Sequence, residues 1–251
     1  MSEGHDATVP GRASPAELAC VRASRHDPQR VRLEGVHALK HAVRFGAAVE
    51  VVVGPDPAAL LALLRRLAPD VTLPVPVRAV DPGTWGALTG GRELPSPALA
   101  VARRPAVTAA DVLAAPGRVV VLEDPRHLGN LGAVVRVAAA ADAGGVLVVG
   151  AADPWHPTAV RGGAGLQFAL PVARTDALPA VPRPLVALTA DGVPLVPGAL
   201  PADAVLLVGT ERDGLSAALR ARATQALAIP MRPGVASLNL ATAVAVALYA
   251  P

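Results

Sequence analysis

One unit recurs through the second half of this chain and constrains its fold more than any other feature. It is a short unbroken apolar run, then a polar turn, then a helical stretch. The runs are VVVLED (119–124), VLVVG (146–150), PLVALTA (184–190), AVLLVGT (204–210) and ALAIP (226–230). A strand with one wet face alternates apolar and polar residues. A run without alternation is covered on both faces, as in a parallel sheet flanked by helices. Helical stretches fit at about 130–143, 214–223 and 237–249, and HPTAVRGGAG reads as a short helix running into glycines. Gly144 and Gly145 stop the first of them. Strands alternating with helices define an α/β sheet domain.

The first half carries a smaller version of the same alternation. A helix is expected over 35–45, a strand at VEVVVG (49–54), a helix at AALLALLRRLA (58–68) and a strand at VPVRAV (75–80). Leu60, Leu64 and Leu67 recur at helical spacing. Asp81 followed by Pro82 starts a further short helix, and ALAVARRP (98–105) is the last strand of this half. The opening residues are rich in Gly, Pro, Ser and Ala without periodicity. The expected organisation is a flexible tail at 1–24, a small α/β domain at 25–105, a linker at 106–117 and a parallel-sheet domain at 118–251.

Composition excludes some chemistry. The single cysteine, Cys20, rules out an internal disulfide framework and any multi-cysteine metal site, and no metal is expected. Aromatics make up 2% of the chain, so the core must be built from Ala, Val and Leu. The start is polar, without the apolar core of a signal peptide, and no apolar run reaches the roughly 20 residues of a membrane helix. A cytoplasmic protein without membrane contact is expected.

The net charge of +3 says little about partners, but its distribution says more. Between Arg22 and Arg44 lie six fixed positive charges (Arg22, Arg25, Arg30, Arg32, Lys40, Arg44) against Asp27 and Glu34. A phosphate-facing surface and a solvated helix face both satisfy this pattern.

Three polar loops follow apolar strands in the second half, where open α/β sheets bind ligands. The first runs from Glu123 to Arg136 and places Gly129, Asn130 and Gly132 at the start of a helix, with free N–H groups able to hold an anion or a carbonyl. Its Gly-x-x-Gly spacing is neither the G-x-G-x-x-G of a dinucleotide site nor a Walker A loop, which argues against a nucleotide-dependent oxidoreductase. The second runs from Gly209 to Ser216 through Glu211 and Gly214. Glu211 there is equally a helix-start carboxylate. The third runs from Ile229 to Leu240; Ser237 can cap the last helix, with Asn239 in its first turn.

Together, the three loops resemble the three motifs of the SpoU/TrmH family of SPOUT methyltransferases. Asn130, Gly132 and Arg136 match the first motif. Gly209 to Ser216 match its Gly-x-Glu-x-x-Gly-Leu-Ser. Ile229-Pro230-Met231 with Ser237-Leu238-Asn239 match the third. The likeness is strong over about 119–250. Over 30–105, carried by EGVHALKHAV and ALAVARRP, the chain more weakly resembles the family's small N-terminal domain, which is similar to a ribosomal RNA-binding protein. His127-Leu128-Gly129 ahead of Asn130 resembles members that methylate ribosomal RNA in antibiotic producers. Gly162 and Gly163 stand where relatives often have Ala-Ser, which suggests a less rigid helix there.

The resemblance implies a parallel sheet with a deep trefoil knot, a homodimer, and S-adenosylmethionine as donor of a methyl group to a ribose 2′-hydroxyl. Gly209, Ile229 and Leu238 would contact the donor, with Thr189 at the rim and Glu211 and Gly214 shaping the loop. Arg136, Asn130, Ser237 and Asn239 would serve the reacting hydroxyl. Arg25, Arg30, Arg32 and Arg44 would meet RNA. Ribosomal RNA is the favoured substrate. Transfer RNA methylation, or an RNA-binding protein that kept the fold without the activity, are the alternatives.

Overall fold

The computed structural model describes residues 11–210, 213–235 and 237–250. The chain divides into two compact units, Met1–Arg104 and Pro105–Pro251.

The first unit has the order α1 (Pro15–Ala23), β1 (Arg30–Glu34), α2 (Val36–Arg44), β2 (Val49–Gly54), α3 (Pro57–Leu67), β3 (Val77–Ala79), α4 (Pro82–Thr89) and β4 (Leu99–Arg103). Its four strands lie in the order β1-β4-β2-β3. β4 runs antiparallel to both neighbours, and β2 and β3 are parallel. Val21, Val51, Val53, Leu88, Leu99 and Val101 form its core beneath Trp85 and Leu94.

Two expectations change here. The segment assigned to a tail contains α1, because Ser14 and Glu17 cap each other reciprocally and Pro15 opens the first turn. Val21 then enters the core with no exposed surface. Residues 1–10 lie outside the described structure. The strand β1 was also not expected, because its sequence RVRLE alternates charge with apolar residues as a wet strand does. It is buried nonetheless.

The physical reason lies in Arg32 and Glu34. Arg32 is 2% exposed; its guanidinium donates to the Val21 and Leu88 carbonyls at 3.0 and 2.6 Å and to Glu34 at 3.2 Å. Arg92 donates to the same carboxylate at 2.8 Å. Burial pushes the Glu34 pKa up, but the bonds from Arg92 and Arg32 outweigh it and hold the carboxyl below its usual value. Its contribution to stability is therefore present above the ordinary glutamate range and is lost as pH falls through the depressed folded value. Arg32 is thus part of the core and not a phosphate contact. Arg32→Ala is expected to destabilise the first unit by about 3 kcal/mol, because it leaves Glu34 buried with one partner fewer. Chemical denaturation measures this, and an unchanged midpoint would contradict it.

The second unit runs α5 (Ala109–Ala114), β5 (Val119–Glu123), α6 (Leu128–Ala140), β6 (Gly145–Val149), α7 (Pro157–Gly162), a 3-10 turn at Leu166–Phe168, β7 (Val172–Thr175), β8 (Leu185–Pro194), β9 (Val205–Val208), α8 (Ala217–Arg222), β10 (Gln225–Ala228) and α9 (Leu240–Tyr249). All six strands are parallel, in the order β10-β8-β9-β5-β6-β7. Alternate residues of β5 face opposite layers, and Val119 to Leu122 are all at most 1% exposed. That is why the strand sequence shows no alternation. The expected linker at 106–117 is also structured. Thr108 and Asp111 form a capping box that starts α5, and Val112 and Leu113 join Val119, Val121, Val205 and Leu207 in the core.

The chain starts in the middle of this sheet, fills one half through β6 and β7, then crosses to build the other half. The direction of winding reverses between β5 and the neighbouring β9. Such a reversal leaves a crevice at the carboxyl ends of the strands. Glu123, at the end of β5, accepts from the Ser216 amide at 2.7 Å, and Arg126 pairs with Asp213 at 2.8 Å. The first two polar loops are tied to each other there.

Gly132 explains a glycine of the first loop differently from the expected anion site. A Cβ at this position would lie 2.1 Å from the Ala159 carbonyl oxygen and 2.7 Å from the Gly163 nitrogen. α6 and α7 therefore touch backbone to backbone. Gly162 serves the same contact from the other side, since its Cβ would meet the Gly129 carbonyl at 2.8 Å. The glycines of α7 permit close packing, and this replaces the expectation of a looser helix. Gly132→Ala should cost about 1–3 kcal/mol by forcing the helices apart. A thermal melt of the variant indistinguishable from that of the parent would show that the contact yields.

Candidate active site

A pocket of about 320 Å³ opens beside the middle of β8 and the carboxyl ends of β9 and β10. This lies within the range of about 300–1,000 Å³ found for small-molecule sites. Each wall comes from a different strand, one from a break within β8 and two from the ends of β9 and β10. β8 contributes Leu188 to Asp191. These residues leave the ladder: Ala187 pairs with Ala226, but the next pairing of β10 is Leu227 with Val193. Thr189 stands half buried in this excursion. β9 contributes Val208, Gly209, Thr210, Asp213, Gly214 and Leu215. Thr210 and Gly214 close this loop with paired backbone hydrogen bonds of 3.1 and 3.2 Å. The third wall is Ile229, Met231, Ser237, Leu238, Leu240 and Ala243.

Of the residues singled out from sequence, Thr189, Gly209, Gly214, Ile229, Ser237 and Leu238 line this pocket together. Glu211 lies outside the described residues. Asn239 does not line it but stands between two residues that do. It is also the true cap of α9: its side-chain oxygen accepts from Ala241 and Thr242, so the helix starts at Leu240 and Ser237 is left free of the capping role expected for it. The Asn239 amide nitrogen donates to the Asn130 side-chain oxygen at 3.2 Å. This single bond joins the first and third loops across 109 residues of sequence.

Arg136 is exposed on α6, six positions after Asn130, and forms no ion pair with a described residue. It is not part of the pocket wall. The arginines assigned to RNA are scattered among internal partners. Arg30 binds Asp27 and Glu50 at 2.6 and 2.8 Å, Arg44 grips Asp70 with two bonds of 2.6 and 2.8 Å, and Arg25 donates to the Leu88 carbonyl. Arg32 is buried, as described above. Three of the six cations between Arg22 and Arg44, namely Arg30, Arg32 and Arg44, thus have carboxylate partners within the fold.

Charged pocket residues were missed from sequence. Asp191 follows the strand 184–190 directly, so position at a strand's carboxyl end was an available signal. Asp213 lies inside the second loop and Arg220 one turn into the helix after it. Asp191 and Arg220 form an ion pair on the pocket wall, and Arg220 beside it is the main cause that holds the Asp191 carboxyl below its usual pKa. No group of three or more His, Cys, Asp or Glu side chains suited to a metal occurs among the described residues. No helix among them is long and apolar enough to cross a membrane.

The lining chemistry can be tested against an adenosyl sulfonium. Leu188, Val208, Leu215, Ile229 and Leu238 offer apolar faces for a flat heterocycle, and backbone groups of Gly209 and the third loop offer donors and acceptors for its edge. Asp191, Asp213 and Arg220 leave the described wall with one net negative charge, which suits a cationic ligand. The residues present fit that group.

A doubly wound parallel sheet with a small-molecule pocket, in a chain that also holds a second small α/β unit, defines the class of protein. The model of the SpoU rRNA Methylase family matches residues 117–249. The chain belongs to that family. It is 30% identical over 261 residues to the 23S rRNA (adenosine(1067)-2′-O)-methyltransferase of Streptomyces azureus, covering 94% of this chain and 93% of that one. It is 27% identical to the 23S rRNA (guanosine(2553)-2′-O)-methyltransferase RlmP of Bacillus subtilis, with 86% of each covered. Among solved structures it is similar to the SpoU methyltransferase AviRb from Streptomyces viridochromogenes in complex with the cofactor AdoMet. That match has a TM-score of 0.76 and 26% identity, and covers 94% of this chain and 96% of AviRb.

Proposed function

We propose that this protein methylates a ribose 2′-hydroxyl of ribosomal RNA, using S-adenosylmethionine, in the cytoplasm. The observation that carries the reading is the convergence of three sequence-distant loops on one pocket, with Asn239 bonded to Asn130 beside it. Two full-length relatives named for 2′-O-methylation of 23S rRNA support the choice of substrate. The loops that wall the pocket are the crossings of a deep trefoil knot, a rare exception to ordinary chain topology.

The donor brings a methyl group already activated on a positively charged sulfur. Gly209, Ile229 and Leu238 hold it, with Thr189 at the rim. The protein's main task is then to align the ribose oxygen, and orientation alone supplies several kcal/mol. Ser237 and the Asn239–Asn130 pair hydrogen-bond the ribose in this reading, which the Asn239–Asn130 bond next to pocket residues Leu238 and Leu240 supports. Arg136 is a poor proton acceptor, since a guanidinium stays charged at any working pH. It clamps a phosphate and stabilises negative charge growing on the 2′-oxygen as its proton leaves. Exposed Val246 and Tyr249, three positions apart on α9, support a homodimer built on that helix.

The test is methyl transfer from radiolabelled S-adenosylmethionine to unmodified ribosomal RNA and, separately, to transfer RNA. Label in ribosomal RNA at a ribose is the expected result. Label in transfer RNA alone would move the substrate assignment. Absence of donor binding would end the methyltransferase reading.

A further inference from the structure

The pocket wall carries one feature that methyl transfer itself does not require. Among its described residues the charged side chains are Asp191, Asp213 and Arg220. Asp213 is already paired with Arg126, from the loop after β5. Asp191 and Arg220 are paired with each other across the pocket wall, one from the β8 excursion and one from α8. Both are about half exposed or more, at 62% and 49% of their side-chain surface. Exposed pairs of this kind are weak and exchange partners readily. Arg220 is the only cation among the described lining residues.

We infer that Asp191 and Arg220 together recognise the zwitterionic amino-acid end of the donor, the ammonium at the Asp191 carboxylate and the carboxylate at the Arg220 guanidinium. This rests on the donor proposed above. An adjacent carboxylate and guanidinium present the mirror of an α-amino acid's two charges, and neither charge has a task in the transfer of the methyl group. The Arg220 guanidinium beside it holds the Asp191 carboxyl below its usual range. The apolar wall around Leu188, Ile229 and Leu238 would serve the adenine, so the two ends of the ligand are read by separate parts of the pocket. The fork of Arg220 suits a carboxylate better than a lysine would.

The experiment is calorimetric binding of two uncharged-sulfur analogues to the full chain. S-adenosylhomocysteine keeps the amino-acid end, and 5′-methylthioadenosine lacks it. The parent protein is expected to favour S-adenosylhomocysteine by about tenfold or more, the size of a charge-assisted bond. Asp191→Asn and Arg220→Gln should each lose most of that preference while binding methylthioadenosine as the parent does. Variants that keep the full preference would overturn the inference. Variants that lose both ligands in parallel would also overturn it, by showing that the pair only holds the wall in place. A parent that binds neither analogue would instead sink the donor assignment, and the inference with it.

Discussion

Gly209→Ala is expected to weaken binding of S-adenosylmethionine by about a hundredfold or more, equivalent to about 2.7 kcal/mol. Gly209 sits at the end of β9, where the second loop turns back on itself. A Cβ there would lie 2.0 Å from the Gly214 carbonyl carbon, 2.1 Å from its oxygen and 2.2 Å from the Leu215 nitrogen. All three are backbone atoms, so no side-chain rotation relieves the collision. The Thr210–Gly214 hydrogen bonds must open, and the wall from Val208 to Leu215 moves with them. The core of the strand is untouched, since Val205, Leu206 and Leu207 point into layers away from the turn and are fully buried. Folding should survive with a loss of about 1–3 kcal/mol. Gly214→Ala is the useful contrast. Its Cβ would meet nothing within 4 Å, but its φ of 67° penalises any side chain. It should bind donor with a loss of about tenfold or less, the strained backbone costing about 1–3 kcal/mol in stability instead. Equal donor affinity in Gly209→Ala and the parent would show that this loop does not shape the site.

Arg136→Ala should slow methyl transfer severely while sparing both donor binding and the fold. The side chain is exposed, forms no ion pair with a described residue and lines no part of the pocket. Its removal should change stability by no more than about 0.5 kcal/mol. If it stabilises charge on the 2′-oxygen, the loss in kcat should be about 10²–10³-fold, as for removal of an oxyanion donor. Arg136→Lys keeps the charge without the planar fork and should fall between the two. Single-turnover transfer to ribosomal RNA, beside calorimetric donor binding, separates these effects. A variant with parental turnover would remove Arg136 from the reaction. One that loses donor binding in proportion would place it in the cofactor pocket instead.

Much of the second unit was legible because its strands are buried on both faces. Runs such as Val119 to Leu122 can be nothing but central strands, and the loops after them are where such sheets bind ligands. Within those loops the resemblance to the SpoU/TrmH motifs singled out Gly209, Ile229 and Leu238, and all three line one pocket. The small unit was less legible. β1 hides a buried Arg32–Glu34 pair behind an alternating sequence that suits a wet strand equally well. α1 and α5 are short, and their caps become decisive only because Val21, Val112 and Leu113 find a core to enter. A helix of that length has little stability of its own.

The sequence by itself determined the class of fold, most strands of the second unit and the polar loops that follow them. Local rules suffice for these: periodicity, caps and the burial that an unbroken apolar run demands. Only the tertiary structure decided which charges are free. Between Arg22 and Arg44 the positive charge suited a phosphate surface and a solvated face equally; in the fold Asp27, Glu34, Glu50 and Asp70 pair with three of the six cations, Arg30, Arg32 and Arg44, from positions up to 26 residues away. Likewise only the fold set Asn239 against Asn130 and Asp191 against Arg220. Electrostatic partners are chosen by distance in space, and a linear pattern holds no record of that distance until the sheet has closed.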